Sequence, residues 1–478
     1  MRRFAWAIAV LATFLLAACN QRPLPFPTPA QHDLVVLVQE GPLTYAKDDD
    51  GQILGLEHDL IEAFARELGV GVTYLPVPPE EIQPQLAKGK AHFAAARFSP
   101  DPGDPQKASQ PFLFSRDVLV QHEASLPLDE IPDLKGRTVH VMAGSRQAAA
   151  LAALMTETPG AKVVEYGEGT AFDLLEKVAS REVELAVVDG ALLNIALQFI
   201  PSIQTTLTIS KSRPIAWLFG RTPNEELLAR ASAFIDQAQK DGTLARLKDR
   251  YLGHIDRLRQ TDINIFLERT ETILPKLRPY FHAAQVASGL DWRLLAALAY
   301  QESQWDKNAT SPTNVRGIMM LTEETADRMG VSNRLDAKES IMAGARYLSF
   351  LRDQQLASTP EPDRTWLALA AYNLGLGHLK AARTLATQLN ANPDSWYDMK
   401  RILPLLAKPR YYQKLKSGRG RGGEAVILAE NIRSYYDILS RHQPPYRVNT
   451  LRSKKKPQSR AGLAGSISGR GLRISRQP

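Results

Sequence analysis

The apolar pattern of this 478-residue chain changes character once, between Tyr251 and Asp262. One fold cannot satisfy both sides of that change, because strand and helix bury their apolar faces at different periods. Upstream, short β-rich runs alternate with helical ones. DLVVLV (Asp33–Val38), VTYLPV (Val72–Val77), AHFAAA (Ala91–Ala96), RTVHVM (Arg137–Met142) and ELAVVD (Glu184–Asp189) read as strands. GLEHDLIEAFARELG keeps Leu56, Leu60, Phe64 and Leu68 on one helix face and stops at Gly69. AFDLLEKVASRE and NEELLARASAFIDQAQKDG are further helices, and the strand group restarts near Arg137, which predicts two α/β lobes. From Asp262 to about Arg441 the periodic segments are helical. They are TDINIFLERTETILPKLRPYFHAAQVASG, DWRLLAALAYQES with Asp291 as N-cap, AKESIMAGARYLSFLRDQQ, TWLALAAYNLG and EAVILAENIRSYYDILS. The expectation is a two-lobed α/β domain followed by a separate all-α domain.

The two ends belong to neither part. Arg2 and Arg3 precede the apolar stretch Phe4–Ala18, which is too short for an ordinary membrane span and runs into Leu16-Ala17-Ala18-Cys19. Cys19 is the only cysteine, so an internal disulfide is excluded. This boundary resembles the lipobox of bacterial lipoproteins, which implies lipidation of Cys19. The other reading is an ordinary signal peptide with Cys19 incidental. Asn20 after the cysteine implies, by the same resemblance, anchoring at the outer membrane. Residues 1–18 are thus a signal peptide, and 19–30, with four prolines in QRPLPFPTPA, an extended tether. Residues 447–478 form a basic tail. From Leu451 to Pro478, Arg452, Lys454, Lys455, Lys456, Arg460, Arg470, Arg473 and Arg476 are joined by no acidic residue, so they account for the net charge of +8. A nucleic-acid binder carries its charge on a folded face with aromatics interleaved, so no nucleic-acid partner is expected. The tail reads as a solvated extension, or as weak adhesion to an anionic envelope polymer or lipid surface. The two folded parts are then 31–256 and 257–446.

Leu295, Leu298 and Glu302 lie three and four residues apart and share a helix face. A carboxylate at the end of an apolar stripe has its charged form disfavoured. Its pKa rises, and it can act as a general acid near neutral pH. The plainer reading is a helix-end Glu facing solvent. Asp306 follows four residues on, but Lys307-Asn308-Ala309 and Pro312 predict a loop, so Asp306 reads as structural, with a general base as the other reading. His282 and His378 are isolated, and GSRQA after Met142 is too weak a pattern for nucleotide binding. Neither a metal nor another cofactor is expected.

QESQWDKNATSPTNVRGIMML resembles the soluble lytic transglycosylase (SLT) signature, in which E-S-x-W, a Ser-Pro turn and R-G-x-M-Q-L recur. Met320 stands where many members have Gln. ALAAYNLGLGHL (Ala368–Leu379) is similar to the family's A-Y-N-x-G block, and Tyr411–Leu439 to its closing helix. The resemblance implies a lysozyme-like (goose-type) α domain acting on peptidoglycan glycan strands. It would cleave the MurNAc–GlcNAc β-1,4 bond and form 1,6-anhydroMurNAc, with Glu302 first as acid and then as base. It implies that Ser303 orients the Glu302 carboxyl and that Gly317, Ile318 and Met319 line the sugar groove. Tyr372 and Asn373 would face Glu302, with Trp305 as packing support.

In the first part, GPLTYAKDDDGQILGLEHDLIEAFARELG, KGRTVHVMAGS and VELAVVDGALL resemble the periplasmic solute-binding proteins of the amino-acid family. In that family two lobes close on an amino acid at the hinge. Asp189 matches the Asp that receives the ligand's ammonium; by its own position it is equally a cap of the helix that follows. The Arg that clamps the ligand carboxylate has no counterpart in DPGDPQKASQPF, which offers Lys107, while Arg97 sits earlier. A small amino-acid or muropeptide ligand is the expectation. The two parts together point to the membrane-bound F branch of the lytic transglycosylases. The competing classes are a non-catalytic glycan-binding lipoprotein and a hydrolytic muramidase.

Overall fold

The structure, a computed structural model, describes residues 24–447 apart from 29–31, 50, 101–106, 158–159 and 256. The leader, Cys19, most of the tether and nearly all of the tail lie outside the described residues. The first lobe is a parallel sheet in the order β2-β1-β3, from β1 (Leu34–Val38), β2 (Val72–Pro76) and β3 (Phe93–Ala95). Helix α1 (Leu56–Leu68) buries Leu56, Leu60, Ile61 and Phe64 in that lobe's core. It ends at Gly69, whose φ of 72° is the left-handed conformation that glycine adopts without a Cβ penalty.

The second lobe is built from β4 (Asp117–His122), β5 (Thr138–Met142), β6 (Lys162–Tyr166), β7 (Leu185–Asp189) and β8 (Ile203–Thr208). Their order is β8-β4-β7-β5-β6, and β4 runs antiparallel to both β7 and β8. The five expected strands are present. Strand β4, central to the second sheet, was not anticipated. It is buried from Asp117 through Gln121 and so shows none of the alternation that marks a half-exposed strand. Trp217 sits in the shared core, stacked on Phe93 at 4.9 Å between ring centroids. Helix α2 (Arg146–Glu157) follows β5, and α3 (Gly190–Ala196) follows β7. Both begin at the cleft between the lobes. Helix α4 (Thr243–Leu252) closes this half.

The second half is helical throughout apart from isolated bridges around Thr310, Arg316 and Leu321. The long run before Gly289 is two helices, α5 (Gln260–Thr272) and α6 (Leu274–Ser288). They part where Pro275, lacking an N–H, falls in the first turn of α6. Helix α7 (Trp292–Ser303) is the axis of the bundle. Every residue from Trp292 to Tyr300 is buried, so the apolar stripe seen in the sequence is a whole circumference rather than one face. It packs against α6 and α11 (Gly422–His442). Helices α8 (Ala337–Asp353), α9 (Asp363–Leu374) and α10 (Leu376–Gln388) complete the wall.

The helical half does not stand apart from the first. The described residues through Pro445 form one compact unit. Lys400 pairs with Asp249, and Arg433 Nη2 donates to the carbonyl of Arg250 at 2.9 Å. Ser434 Oγ donates to the carbonyl of His254 at 3.0 Å, and Arg441 pairs with Glu176 at 2.7 Å. Among the described residues, no helix is long and apolar enough to cross a membrane.

Candidate active site

Ala and Leu dominate α7, residues that lose little side-chain freedom in a helix. Asp291 caps its start, accepting from the Arg293 amide at 2.8 Å. Its end is enforced. Gln304 (φ 52°) and Trp305 (φ 64°) both occupy the left-handed region that non-glycine residues avoid. Arg269 holds that turn, donating to the carbonyl and Oε1 of Gln304 at 3.1 and 2.7 Å. Trp305 Nε1 donates back to the carbonyl of Ala296 at 2.8 Å, and its ring packs on Tyr300 and Phe266. Trp305 is the packing support that the sequence predicted.

Glu302 therefore sits one residue before the helix end, half-buried, on a rigid support. Among the described residues, no group donates a hydrogen bond to its carboxyl. Desolvation alone pushes its pKa up to about 8. A second carboxylate close by would add its own charge to that shift, and none does. Asp306 is exposed and accepts from the Asn308 amide at 2.9 Å, a turn-forming role. Glu302 lines neither the cavity of about 390 Å³ at the junction of the halves nor that of about 70 Å³ between the lobes.

Several expected contacts with Glu302 are replaced by contacts to the backbone. Ser303 Oγ donates to the carbonyls of Ile318 (2.8 Å) and Ala299 (3.1 Å), not to the carboxyl. A residue next to Glu302 on a helix points about 100° away, so it reaches the neighbouring loop instead. Tyr372 Oη donates to the carbonyl of Met319 at 2.8 Å. It still lies close enough to Glu302 that, after burial itself, the carboxylate charge helps to raise the phenol well above its ordinary range. Asn373 is exposed at the end of α9. Ile318 and Met319 are fully buried, so their side chains cannot line a groove, and their carbonyls are taken by Ser303 and Tyr372. Gly317 does need to be glycine, but for a different neighbour. Its φ is 83°, and a Cβ there would lie 1.8 Å from the carbonyl oxygen of Arg334.

Three supports were not visible in the sequence. Arg334 Nη1 staples the loop through the carbonyls of Asn314 (2.7 Å) and Leu321 (3.1 Å). Ser340 Oγ accepts from the Met319 amide at 3.3 Å. Gly344 leaves room for the Met319 side chain, which a Cβ would meet at 2.5 Å. All three come from α8 or the segment before it, and only folding brings them to the loop. The signature loop is thus gripped from α7 by Ser303, from α9 by Tyr372 and from α8 by Ser340, with Glu302 between them.

In the first half, Asp189 does cap its helix: Oδ1 accepts from the amides of Ala191 (2.9 Å) and Leu192 (3.3 Å). It also pairs with Arg97 at 2.9 Å and with Arg146 at 3.1 Å. Burial works to raise this carboxyl, but the two guanidinium charges outweigh it and hold the pKa below its ordinary value. Lys107 is at the surface with Glu225. Arg146, from the GSRQA run set aside in the sequence, is the residue that reading missed.

Two family models match the chain. Bacterial extracellular solute-binding proteins, family 3, matches residues 34–254, and the transglycosylase SLT domain matches residues 279–394. Curated relatives match nearly end to end. A membrane-bound lytic murein transglycosylase F of Methylobacillus flagellatus is 42% identical over 444 residues, 91% of this chain and 94% of the relative. One from Nitrosospira multiformis is 43% identical over 441 residues, covering 90% of this chain and 91% of the relative. One from Pseudomonas syringae is 38% identical over 441 residues, 91% of this chain and 88% of the relative. With both halves matched in order and at this identity, the chain belongs to the membrane-bound lytic murein transglycosylase F family.

Proposed function

We propose that the protein is a peptidoglycan lytic transglycosylase with Glu302 as its single acid/base, and that its first half is a small-ligand module that biases the helical half. The observation that carries the catalytic reading is the Glu302 carboxyl, desolvated, without hydrogen-bond donors and raised to about 8. Such a group is protonated at neutral pH and delivers its proton to the glycosidic oxygen. A hydrolase that flanks the bond with two carboxylates needs the second one within about 5–10 Å. Among the described residues no second carboxylate shifts the Glu302 carboxyl, and Asp306 is engaged in its own turn, which favours an internal nucleophile. The ionised Glu302 then takes the proton of the MurNAc 6-hydroxyl as that oxygen closes on the anomeric carbon. The products are a 1,6-anhydroMurNAc end and a free GlcNAc 4-hydroxyl, with no water consumed.

The loop of Gly317, Ile318 and Met319 backs the glycan groove, while Ser303 and Tyr372 hold that loop in place. Asn373, exposed beside them, is available to the sugar. Residues 31–256 and 257–446 are taken as the two functional parts. Lipidation of Cys19 would keep the enzyme at the periplasmic face of the outer membrane, within reach of the glycan strands. A small amino-acid or muropeptide ligand would occupy the cleft between the lobes.

The test is mass spectrometry of purified peptidoglycan digested with the protein, beside Glu302→Gln. Fragments lighter by one water than hydrolysis products, present with the wild type and absent with the variant, are expected. Reducing ends instead would make it a hydrolytic muramidase. Glycan bound but uncut by the wild type would make it a non-catalytic binding lipoprotein.

A further inference from the structure

The cleft between the two lobes carries an unequal balance of hydrogen-bonding capacity. Its ionised acceptors are used up. Asp189 Oδ1 accepts from Arg97 Nη2 (2.9 Å), Ser115 Oγ (2.9 Å) and the two amides of α3. Its Oδ2 accepts from Arg97 Nη2 (3.0 Å) and Arg146 Nη2 (3.1 Å). A carboxylate has about four lone-pair sites, so this one has none to spare. Asp117 is fully buried and equally engaged. Gln147 Nε2 (3.0 Å) and Arg146 Nη2 (2.8 Å) reach its Oδ1; Arg146 Nη1 (3.2 Å) and Ser210 Oγ (2.8 Å) reach its Oδ2.

What is left over is donors. Arg97 Nε and Nη1 and Arg146 Nε are buried without a partner. The Arg146 side chain is only 7% exposed, so water does not satisfy it. Arg97 holds its position in the left-handed region at φ 56°, its amide donating to Glu57 Oε1 at 3.0 Å. Glu57 is itself fully buried, and its Oε2 lacks a partner. Burial, offset in part by Arg97, pushes its pKa up to about 7, so near neutrality it too can hold a proton and donate. Arg97, Ser145 and Arg146 line the cavity of about 70 Å³, and α2 points its N-terminus there from Arg146.

We infer that this cleft reads the acid end of its ligand and not the amine. Its guest is a compact carboxylate whose amino group is equally well free, acylated or absent, as at the C-terminus of a peptide. Arg97 and Arg146 donate their unfilled N–H groups to that carboxylate. Asp189 is the internal counter-ion that orients both guanidinium groups. A ligand ammonium would find no lone pair free on Asp189 or Asp117, and Glu57, whose Oε2 is unpartnered, does not line the cavity. This inference rests on the reading of the first half as a small-ligand module.

The experiment is calorimetric titration of the full chain with alanine, leucine, glutamate and alanyl-alanine. Each is offered free, as its N-acetyl derivative and as its C-terminal amide. For whichever compound binds, the N-acetyl form is expected within about threefold of the free form. The amide should be at least about tenfold weaker, since it forfeits charge-assisted hydrogen bonds. Arg146→Gln should lower the affinity for the free and acetylated acids by about tenfold alike. Binding that acetylation abolishes would overturn the inference, because Asp189 would then open its ion pairs to an ammonium; the ligand-module reading would survive. Binding that amidation leaves unchanged would overturn it as well. Heat from none of the compounds in any form would sink both the inference and the module reading.

Discussion

Glu302 and Glu430 are two carboxylates set among buried surfaces of the same helical half, and their fates are opposite. Glu430, on α11, is 1% exposed. Burial works to raise it, but Arg433 (2.7 Å) and Lys400 (3.2 Å) and the indole of Trp396 (2.6 Å) hold it below its ordinary range. It stays ionised and ties the helical half to the first, since its partners Lys400 and Arg433 also bond Asp249 and the carbonyl of Arg250. Glu302 has no such donors and keeps its proton. Burial alone therefore does not make an acid. Desolvation without a partner does, and desolvation with partners makes a structural joint.

Four outcomes would break or sharpen that contrast. The largest is expected for Glu302→Gln. The amide cannot deliver a proton, so glycan cleavage should fall by about 10²–10⁴-fold, while circular dichroism and melting stay those of a folded chain. Activity within a few-fold of wild type would remove Glu302 from the chemistry. Next is Arg433→Met, which strips Glu430 of its nearest charge. An incompletely compensated buried carboxylate costs about 3–5 kcal/mol, so chemical denaturation should show a loss of that order. A loss under about 1 kcal/mol would mean that Lys400 and Trp396 suffice.

Gly317→Ala should follow. The left-handed backbone alone costs about 1–3 kcal/mol for a side chain. The clash with the Arg334 carbonyl adds to it, or displaces the loop that Ser303 and Tyr372 grip. Melting and cleavage should drop together; a variant with normal stability and normal activity would show that the loop does not depend on this approach.

The last outcome is in pH. The folded-state pKa of Glu302 is raised from 4.5 to about 8. The folded state therefore holds this proton more tightly than the unfolded one between those values. Its contribution is fully present below about 4.5 and is lost as pH rises through about 8. Glu302→Gln lacks that dependence, so its melting temperature should gain on the wild type as pH is raised from 5 to about 8.5. On its alkaline limb, wild-type kcat/KM should fall over the upper part of the same window. Parallel melting of the two proteins at every pH would mean that Glu302 titrates like an exposed glutamate.

The sequence determined more of the first half than its strand count suggests. The α1 face, its Gly69 stop and the parallel β1, β2 and β7 runs are local patterns, set by periodicity and by conformations only some residues adopt. Strand β4 escaped because a strand buried on both faces has no period, and β6 because an exposed edge strand, KVVEY, has little apolar signal. In the helical half, Asp291 as cap and Glu302 at the end of an apolar run were legible, since each depends on neighbours within a few residues, while Trp305 as support came from the resemblance and rests on Phe266, 39 residues away. The roles assigned to Ser303, Ile318 and Met319 were not. Whether a hydroxyl meets a carboxylate or a carbonyl depends on a loop 15 residues away in sequence. The bond of Lys400 to Glu430 and the saturation of Asp189 are likewise decided by charges that come from distant segments, and among the described residues no such charge reaches Glu302. Local sequence fixes where a carboxylate sits on its helix or strand. Only the tertiary structure decides whether a cation arrives, and that arrival settles whether the group is a joint or an acid.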